Sequence, residues 1–189
     1  MAVEQQQRTR GEREAERLEA ELVKLDENVD RDAEKIREAR DRAVETVERN
    51  TELNELAKKQ RLDQARDTAK EHMSRLKQEY LDSRNAAIEG TRSYLFGSAP
   101  SGSKDPAKLM AFRDARDRAA RLEDSHAAEH ALRQALEVGD SEQAEAIVSH
   151  AYEKGWGNVW RAHPDLAAGV DRLARLRHDR PNTMFRFTI

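Results

Sequence analysis

Apolar residues in the first half of the chain recur at alternating steps of three and four along an otherwise charged sequence. This spacing is typical of a coiled-coil seam, in which two positions of each heptad face a partner helix. The pattern slips near residues 33–36 and resumes between Leu62 and Tyr80, as a stutter would cause. Because one helix cannot bury a narrow stripe alone, residues 1–96 are predicted to form a coiled-coil arm. Its predicted interface consists of Leu18, Leu22, Leu25, Val29 and Ile36.

The arm has two possible courses. No glycine or proline occurs between Gly11 and Gly90, which favours a single helix of roughly 130 Å at 1.5 Å per residue. Alternatively, residues 49–54 turn the chain into an antiparallel helical hairpin, with Asn50 ending the first helix and Thr51 capping the second. The uninterrupted helix is the first expectation and the hairpin is the alternative.

Helix breakers become frequent from Gly97 onward. Residues 97–105 are therefore predicted to form a flexible linker, and residues 106–180 a small helical bundle. Capping residues divide this bundle into four helices joined by short turns, as expected for antiparallel neighbours. The four helices are predicted to begin at Asp105, Asp124, Asp140 and Pro164. The expected fold class is therefore all-α.

The last residues, 181–189, follow a different pattern, which predicts an extended tail. Their apolar side chains alternate at period two, so Phe185, Phe187 and Ile189 share one side of a strand-like segment. The bundle already has enough apolar residues for a core of its own size. We therefore expect the tail to dock on another protein chain, by edge pairing or by inserting its phenylalanines into a groove.

Two tryptophans of the bundle have two interpretations. Trp156 and Trp160 lie four residues apart beside Gly155 and Gly157. They suit the core of the bundle, and the alternative is a partner-docking anchor, since tryptophan and tyrosine dominate interface energies.

Composition supports long helices and narrows the possible partners. Charged residues make up 38% of the 189-residue chain and aromatic residues 5%, whereas a compact globule of this length usually holds more aromatic surface. The net charge is −3 with interleaved signs, and such charges cancel within a Debye length of about 8–10 Å. Neither a specific nucleic-acid partner nor a membrane is therefore expected. The chain has no cysteine and no recognisable signal peptide, which predicts a cytoplasmic protein.

One short string has the spacing of a catalytic metal site. His126, Glu129 and His130 fit the pattern H-x-x-E-H, in which two histidines one turn apart bind zinc and the glutamate acts as base. A hydrolytic zinc site needs a third protein ligand, and no motif selects one. We expect an exposed helix face here, and hence no catalytic residue, no metal ligand and no cofactor.

Two segments carry a resemblance to a known group of proteins. Residues 113–122 and 139–156, the latter with an Ala-rich helix between Gly139-Asp140 and Gly155-Trp156, resemble small helical proteins encoded among the virion-structure genes of tailed phages of actinobacteria. The likeness covers residues 90–165. It departs from the group at residues 157–160, where a tyrosine is expected and Trp160 stands. The resemblance implies a structural or assembly role in the head or tail, without catalytic residues.

The function expected from all these features is that of a non-enzymatic structural or assembly protein, with a scaffold as one version. Its predicted partners are other copies of itself, through the arm, and another structural protein, through the bundle and tail. Its predicted location is the host cytoplasm during assembly and the virion afterwards. The alternatives are a cytoplasmic coiled-coil adaptor or regulator, and a zinc hydrolase built on the histidine motif.

Overall fold

A computed structural model describes residues 8–97, 106–178 and 186–189, and within them the protein has no strand. The all-α fold class predicted from the sequence is confirmed. The helices are α1 (Arg10–Arg49), α2 (Glu55–Phe96), α3 (Pro106–Ala120), α4 (Ser125–Val138), α5 (Ser141–Lys154), α6 (Gly157–Arg161) and α7 (Ala167–His178).

The arm is a helical hairpin, and the prediction of one uninterrupted helix was wrong. After α1 ends at Arg49, Asn50 accepts a hydrogen bond from the Glu52 amide through its Oδ1 at 2.9 Å. Asn54 Oδ1 then accepts one from the Ala57 amide at 2.8 Å, so Asn54, and not Thr51, caps α2. Both asparagine side chains satisfy backbone groups that a continuous helix would have bonded itself, which stabilises the turn.

The chain divides into two compact units, and each contains parts of α1 and α2. The first unit comprises Met1–Glu19 and Ile88–Arg180, and the second comprises Ala20–Ala87 and Pro181–Ile189. The units therefore do not divide at the predicted linker, of which residues 98–105 lie outside the described part of the chain.

The first unit contains the predicted bundle, and its helices begin and end close to the predicted cap residues. Asp124 accepts hydrogen bonds from the amides of His126 and Ala127, and Gly139 ends α4 in the left-handed conformation with φ 74°. The sequence did not predict α6, because its five residues are too few for a recognisable period. The core is made mainly of Leu95, Leu132, Ile147, Val148, Val159, Leu166, Val170 and Leu173.

The start of α1 packs directly against the backbone that precedes α7. The Gly11 amide donates to the Asp165 carbonyl at 2.7 Å. A Cβ at Gly11 would lie 2.7 Å from that same oxygen, and one at Gly169 would lie 2.8 Å from Leu95 Cδ1. Only glycine therefore fits this crossing without displacing its neighbours.

A histidine holds the turn that precedes α7. His163 Nδ1 accepts hydrogen bonds from the amides of Asp165 and Leu166, both at 3.2 Å. Burial lowers the pKa of His163 below its ordinary value, against the opposing attraction of Asp165. The neutral ring is therefore favoured, and only a neutral ring can accept at Nδ1.

Candidate docking surface on the helical hairpin

The predicted coiled-coil residues lie along the hairpin, but they are covered unequally. Within the second unit, Val29 is 5% exposed, while Leu22, Leu25 and Ile36 are half-buried. Leu18, which belongs to the first unit, is fully buried. The apolar residues of α2 that are buried in the second unit are Ala69, Met73, Tyr80 and Ala87. Part of the seam that was predicted to bind another chain is thus covered by the chain's own second helix.

The turn at residues 50–54 and one side-chain contact of the second unit together indicate that the helices of the hairpin run antiparallel. The Tyr80 hydroxyl donates to Asp26 Oδ1 at 2.8 Å. Burial raises the pKa of Tyr80, and its hydrogen bond to the Asp26 carboxylate raises it further. Tyr80 therefore keeps its proton and remains a donor across the seam.

A groove opens along the hairpin between residues 35–43 of α1 and residues 61–72 of α2. It encloses about 530 Å³. Its apolar side chains are small, apart from one isoleucine, so the two helices leave a hollow that a larger side chain could fill. The apolar lining consists of Ile36, Ala39, Ala43, Ala65 and Ala69.

Every charged side chain that lines this groove is basic. Lys35, Arg40 and Arg61 lie along it, together with His72. The first two pair with carboxylates outside the lining: Lys35 Nζ lies 2.7 Å from Asp32, and an Arg40 nitrogen lies 2.6 Å from Asp41. These pairs are exposed and contribute little to stability. The rim of the groove therefore favours an acidic partner.

The end of the tail lies on the hairpin within the same unit. Arg186 donates from Nη1 to Asp26 Oδ1 at 2.8 Å, and its Nε lies 2.7 Å from an oxygen of Asp30. Burial alone would lower the pKa of Arg186, but its hydrogen bond with Asp26 and the neighbouring carboxylates outweigh burial and raise it. The Phe187 ring lies 5.8 Å from the Tyr80 ring.

The backbone of the tail is held as well. Arg37 donates from Nη2 to the Arg186 carbonyl at 2.7 Å and from Nε to the Thr188 carbonyl at 3.2 Å. Ile189 is half-buried, and Phe185 lies outside the described residues. Sequence reasoning missed this intramolecular site because no local signal joins residues about 150 positions apart. Docking of the tail on a different chain stays a prediction.

The two tryptophans have different surroundings. Trp160 is 5% exposed, and its Nε1 donates to Asp171 Oδ1 at 2.8 Å. Its ring also meets the Tyr152 ring edge-on, with centroids 6.4 Å apart. In this structure Trp160 is therefore a core residue and does not present a docking surface. Trp156 is half-buried against His150, and its role as an anchor stays a prediction.

The histidine motif lies on the surface of α4. His126 and His130 are exposed, and Glu129 pairs with Arg133 at 3.3 Å and accepts from Asn158 at 3.2 Å. Among the residues that the structure describes, no group of three potential metal ligands comes together.

A search for membrane-spanning helices and comparisons with known proteins add two findings. In the described ranges, no helix combines the length and apolar character that crossing a membrane requires. No protein-family model, curated protein or solved structure matches the chain. The phage resemblance of residues 90–165 therefore remains a prediction from the sequence.

Proposed function

We propose that the chain is a non-enzymatic structural or assembly protein that acts through self-association of its helical hairpin. The observation that carries this proposal is the groove, where Ile36, Ala43 and Ala65 are only half-buried and Ala39 is exposed. Covering apolar surface is favourable by about 25 cal/mol per Å². A two-helix layer can bury its apolar stripe fully only against a further layer of structure, which a neighbouring molecule can supply.

The contacts predicted for the bundle and the tail are proposed to involve a second partner. The half-buried Trp156 and the tail are proposed to bind another structural protein, while the hairpin binds further copies of the chain. The resemblance of residues 90–165 favours a component of a tailed-phage head or tail, with a scaffold as one version. A cytoplasmic adaptor would also self-associate, but it would not be found in virus particles.

The test of self-association is the mass of the protein in solution, compared with that of an Ala39→Glu variant. Ala39 is exposed on α1, so the substitution places a charged side chain in the groove without opening the hairpin. We expect the wild type to be oligomeric by light scattering and the variant to approach the monomer mass, with unchanged helicity by circular dichroism. Ser74→Glu is the control, because Ser74 is exposed on α2 and does not line the groove.

Two results would contradict parts of this proposal. A wild-type protein that is monomeric at all accessible concentrations would exclude self-association as its mode of action. A protein that oligomerises, but is absent by mass spectrometry from particles assembled in its presence, would exclude the virion role and favour the adaptor.

A further inference from the structure

Charge is distributed unevenly along the hairpin of the second unit. The half nearest the turn, residues 35–70, carries 10 basic and 8 acidic residues. The other half, residues 20–34 and 71–87, carries 5 basic and 9 acidic residues. The half nearest the turn thus has a formal charge of +2 (10 − 8) and the other half −4 (5 − 9), of which Arg186 offsets one. The hairpin can therefore complement a second copy of itself when the two run in opposite directions.

The side of the hairpin that carries the groove continues into the acidic half. On α1, Leu25, Asp32, Ile36 and Ala43 are spaced by seven, four and seven residues, which keeps them on one side of a helix. Glu21 lies one turn before Leu25 on that side. The acidic half therefore presents a half-buried leucine flanked by Glu21 and Asp32.

The second helix shows the same change along its length. Ala65, His72, Leu76 and Glu79 follow one another at steps of seven, four and three and share the side of α2 that lines the groove. Leu76 is half-buried and Glu79 is exposed. Both helices thus present a leucine and carboxylates in the acidic half, and small residues with basic neighbours in the other half.

We infer that two copies of the chain pair through these sides as an antiparallel, two-fold symmetric four-helix assembly. This inference rests on the proposed self-association and specifies its geometry. With the two-fold axis at the level of residues 32–34, Leu25 of one copy lies between Ala39 and Ala43 of the other and fills the groove. Each groove receives the leucine of the opposite copy, as an isologous interface requires.

The same axis brings opposite charges together. Asp26 and Tyr80 are hydrogen-bonded, so they lie at the same height along the hairpin. Counting 19 residues back along α2 from Tyr80 to Arg61 matches 19 residues forward along α1 from Asp26, which places Arg61 near the height of residue 45. Glu21 of one copy then lies at the level of Arg61 of the other, and Glu79 lies at the level of Arg40, so opposite charges face each other across the interface. A parallel pairing would instead place each basic rim against its own equivalent, and like charges at an interface oppose binding.

The size of the paired surface suits a stable dimer. The 30 residues from Ala20 to Arg49 form about 45 Å of helix, and two helices side by side are roughly 20 Å wide. The covered face is therefore about 900 Å² per copy, close to the roughly 800 Å² that each partner contributes to a standard interface. The described end of the tail contacts Asp26, Asp30, Arg37 and Tyr80. None of these four residues lines the groove, so these contacts do not cover it.

The experiment is a charge exchange between Glu21 and Arg61 in the full-length chain. We expect Glu21→Lys and Arg61→Glu each to weaken dimerisation about tenfold, because two attractive contacts per dimer become repulsive. Mixing the two variants should restore a dimer of near wild-type affinity that contains one chain of each kind, because every contact is then attractive. Analytical ultracentrifugation of the separate and mixed variants, with one of them labelled, measures both effects.

Matched controls are Glu27→Lys and Arg66→Glu, which make the same charge changes at exposed positions away from the groove and should not alter dimerisation. A wild-type oligomer that is unaffected by the Glu21 and Arg61 variants, or not restored by mixing them, would overturn the antiparallel pairing and leave self-association standing. A monomeric wild type would overturn both.

Discussion

Arginine side chains make polar contacts between distant parts of the chain in both units. In the first unit, Arg10 donates to Glu145 Oε1 at 2.7 Å and to the carbonyls of Tyr94 and Leu95 at 2.8 Å. It therefore satisfies two carbonyls at the end of α2, which have no partner within their own helix. In the second unit, Arg186 contacts two aspartates of α1. A planar, permanently charged guanidinium suits such sites better than a lysine ammonium, because it donates in several directions at once.

We predict that His163 makes the protein less stable as the pH is lowered. Because the pKa of His163 is lower in the folded state, the unfolded chain binds a proton first as the pH falls. The full contribution of His163 to stability is therefore present above about pH 6.5. It is lost as the pH falls from there to the folded-state pKa, by at most about 1.4 kcal/mol per pH unit. His163→Asn keeps a side-chain acceptor that does not titrate, and its free energy of unfolding should decline less between pH 7.5 and 5. Equal declines in urea titrations of both proteins would contradict this role of His163.

The crossing at Gly11 should be sensitive to a single methyl group. In Gly11→Ala, the new Cβ meets the Asp165 carbonyl oxygen at 2.7 Å, and a clash with backbone costs about 1–3 kcal/mol of unfolding free energy. Gly90→Ala is the matched control, since a Cβ there meets nothing within 4 Å. Because Gly90 lies inside α2, Gly90→Ala should raise the free energy of unfolding by about 0.5–1 kcal/mol. Chemical denaturation measures the free energy of unfolding of both variants. A Gly11→Ala protein as stable as the control would show that the backbone around Gly11 moves apart without cost.

At the scale of elements, the hairpin and the tail form one arrangement in the second unit. The two helices cover one another along Val29, Ala69 and Met73, and the end of the tail adds a third layer over Tyr80. Arg37 holds the carbonyls of the tail, while Arg186 holds carboxylates of the hairpin, so contacts are made in both directions. Such reciprocal contacts order a short segment that has no secondary-structure partner of its own.

The packing of Phe187 on Tyr80 should contribute measurably to the stability of the second unit. Phe187 is half-buried, so truncation to alanine should cost about 1–2 kcal/mol, roughly half of the usual cost for a fully buried phenylalanine. Phe187→Leu keeps most of the apolar contact and should cost less than about 1 kcal/mol. Hydrogen exchange of the amides in 20–34 and 71–87 measures the effect locally. Unchanged protection in Phe187→Ala would show that the tail adds nothing to the hairpin.

At the scale of the whole molecule, the two units differ in how completely they bury their apolar residues. The first unit has a core with contributions from five short helices and the ends of two long ones. The second unit is a thin layer whose alanine-lined groove stays open. This difference supports the proposal that the second unit associates with other copies of the chain.

The sequence by itself determined four of the five bundle helices and most of their ends. Asp124, Asp140, Gly139 and Gly155 act on backbone groups within a few residues, and such local preferences can be read from order and spacing alone. The predicted seam also identified the apolar side of α1, because a repeat of three and four residues specifies one side of a helix. What a repeat cannot specify is whether the covering helix belongs to the same chain.

Only the tertiary structure decided which distant residues meet. The turn at Asn50 and Asn54 brings α2 back along α1, so part of the seam predicted to pair with another chain is covered by the same chain. The contacts of Arg186 with Asp26, and the use of His163 as an acceptor for the start of α7, likewise follow from the folded path of the chain. The physical reason is that these contacts depend on chain reversals and on the exclusion of solvent. Neither leaves a periodic or local mark in the sequence.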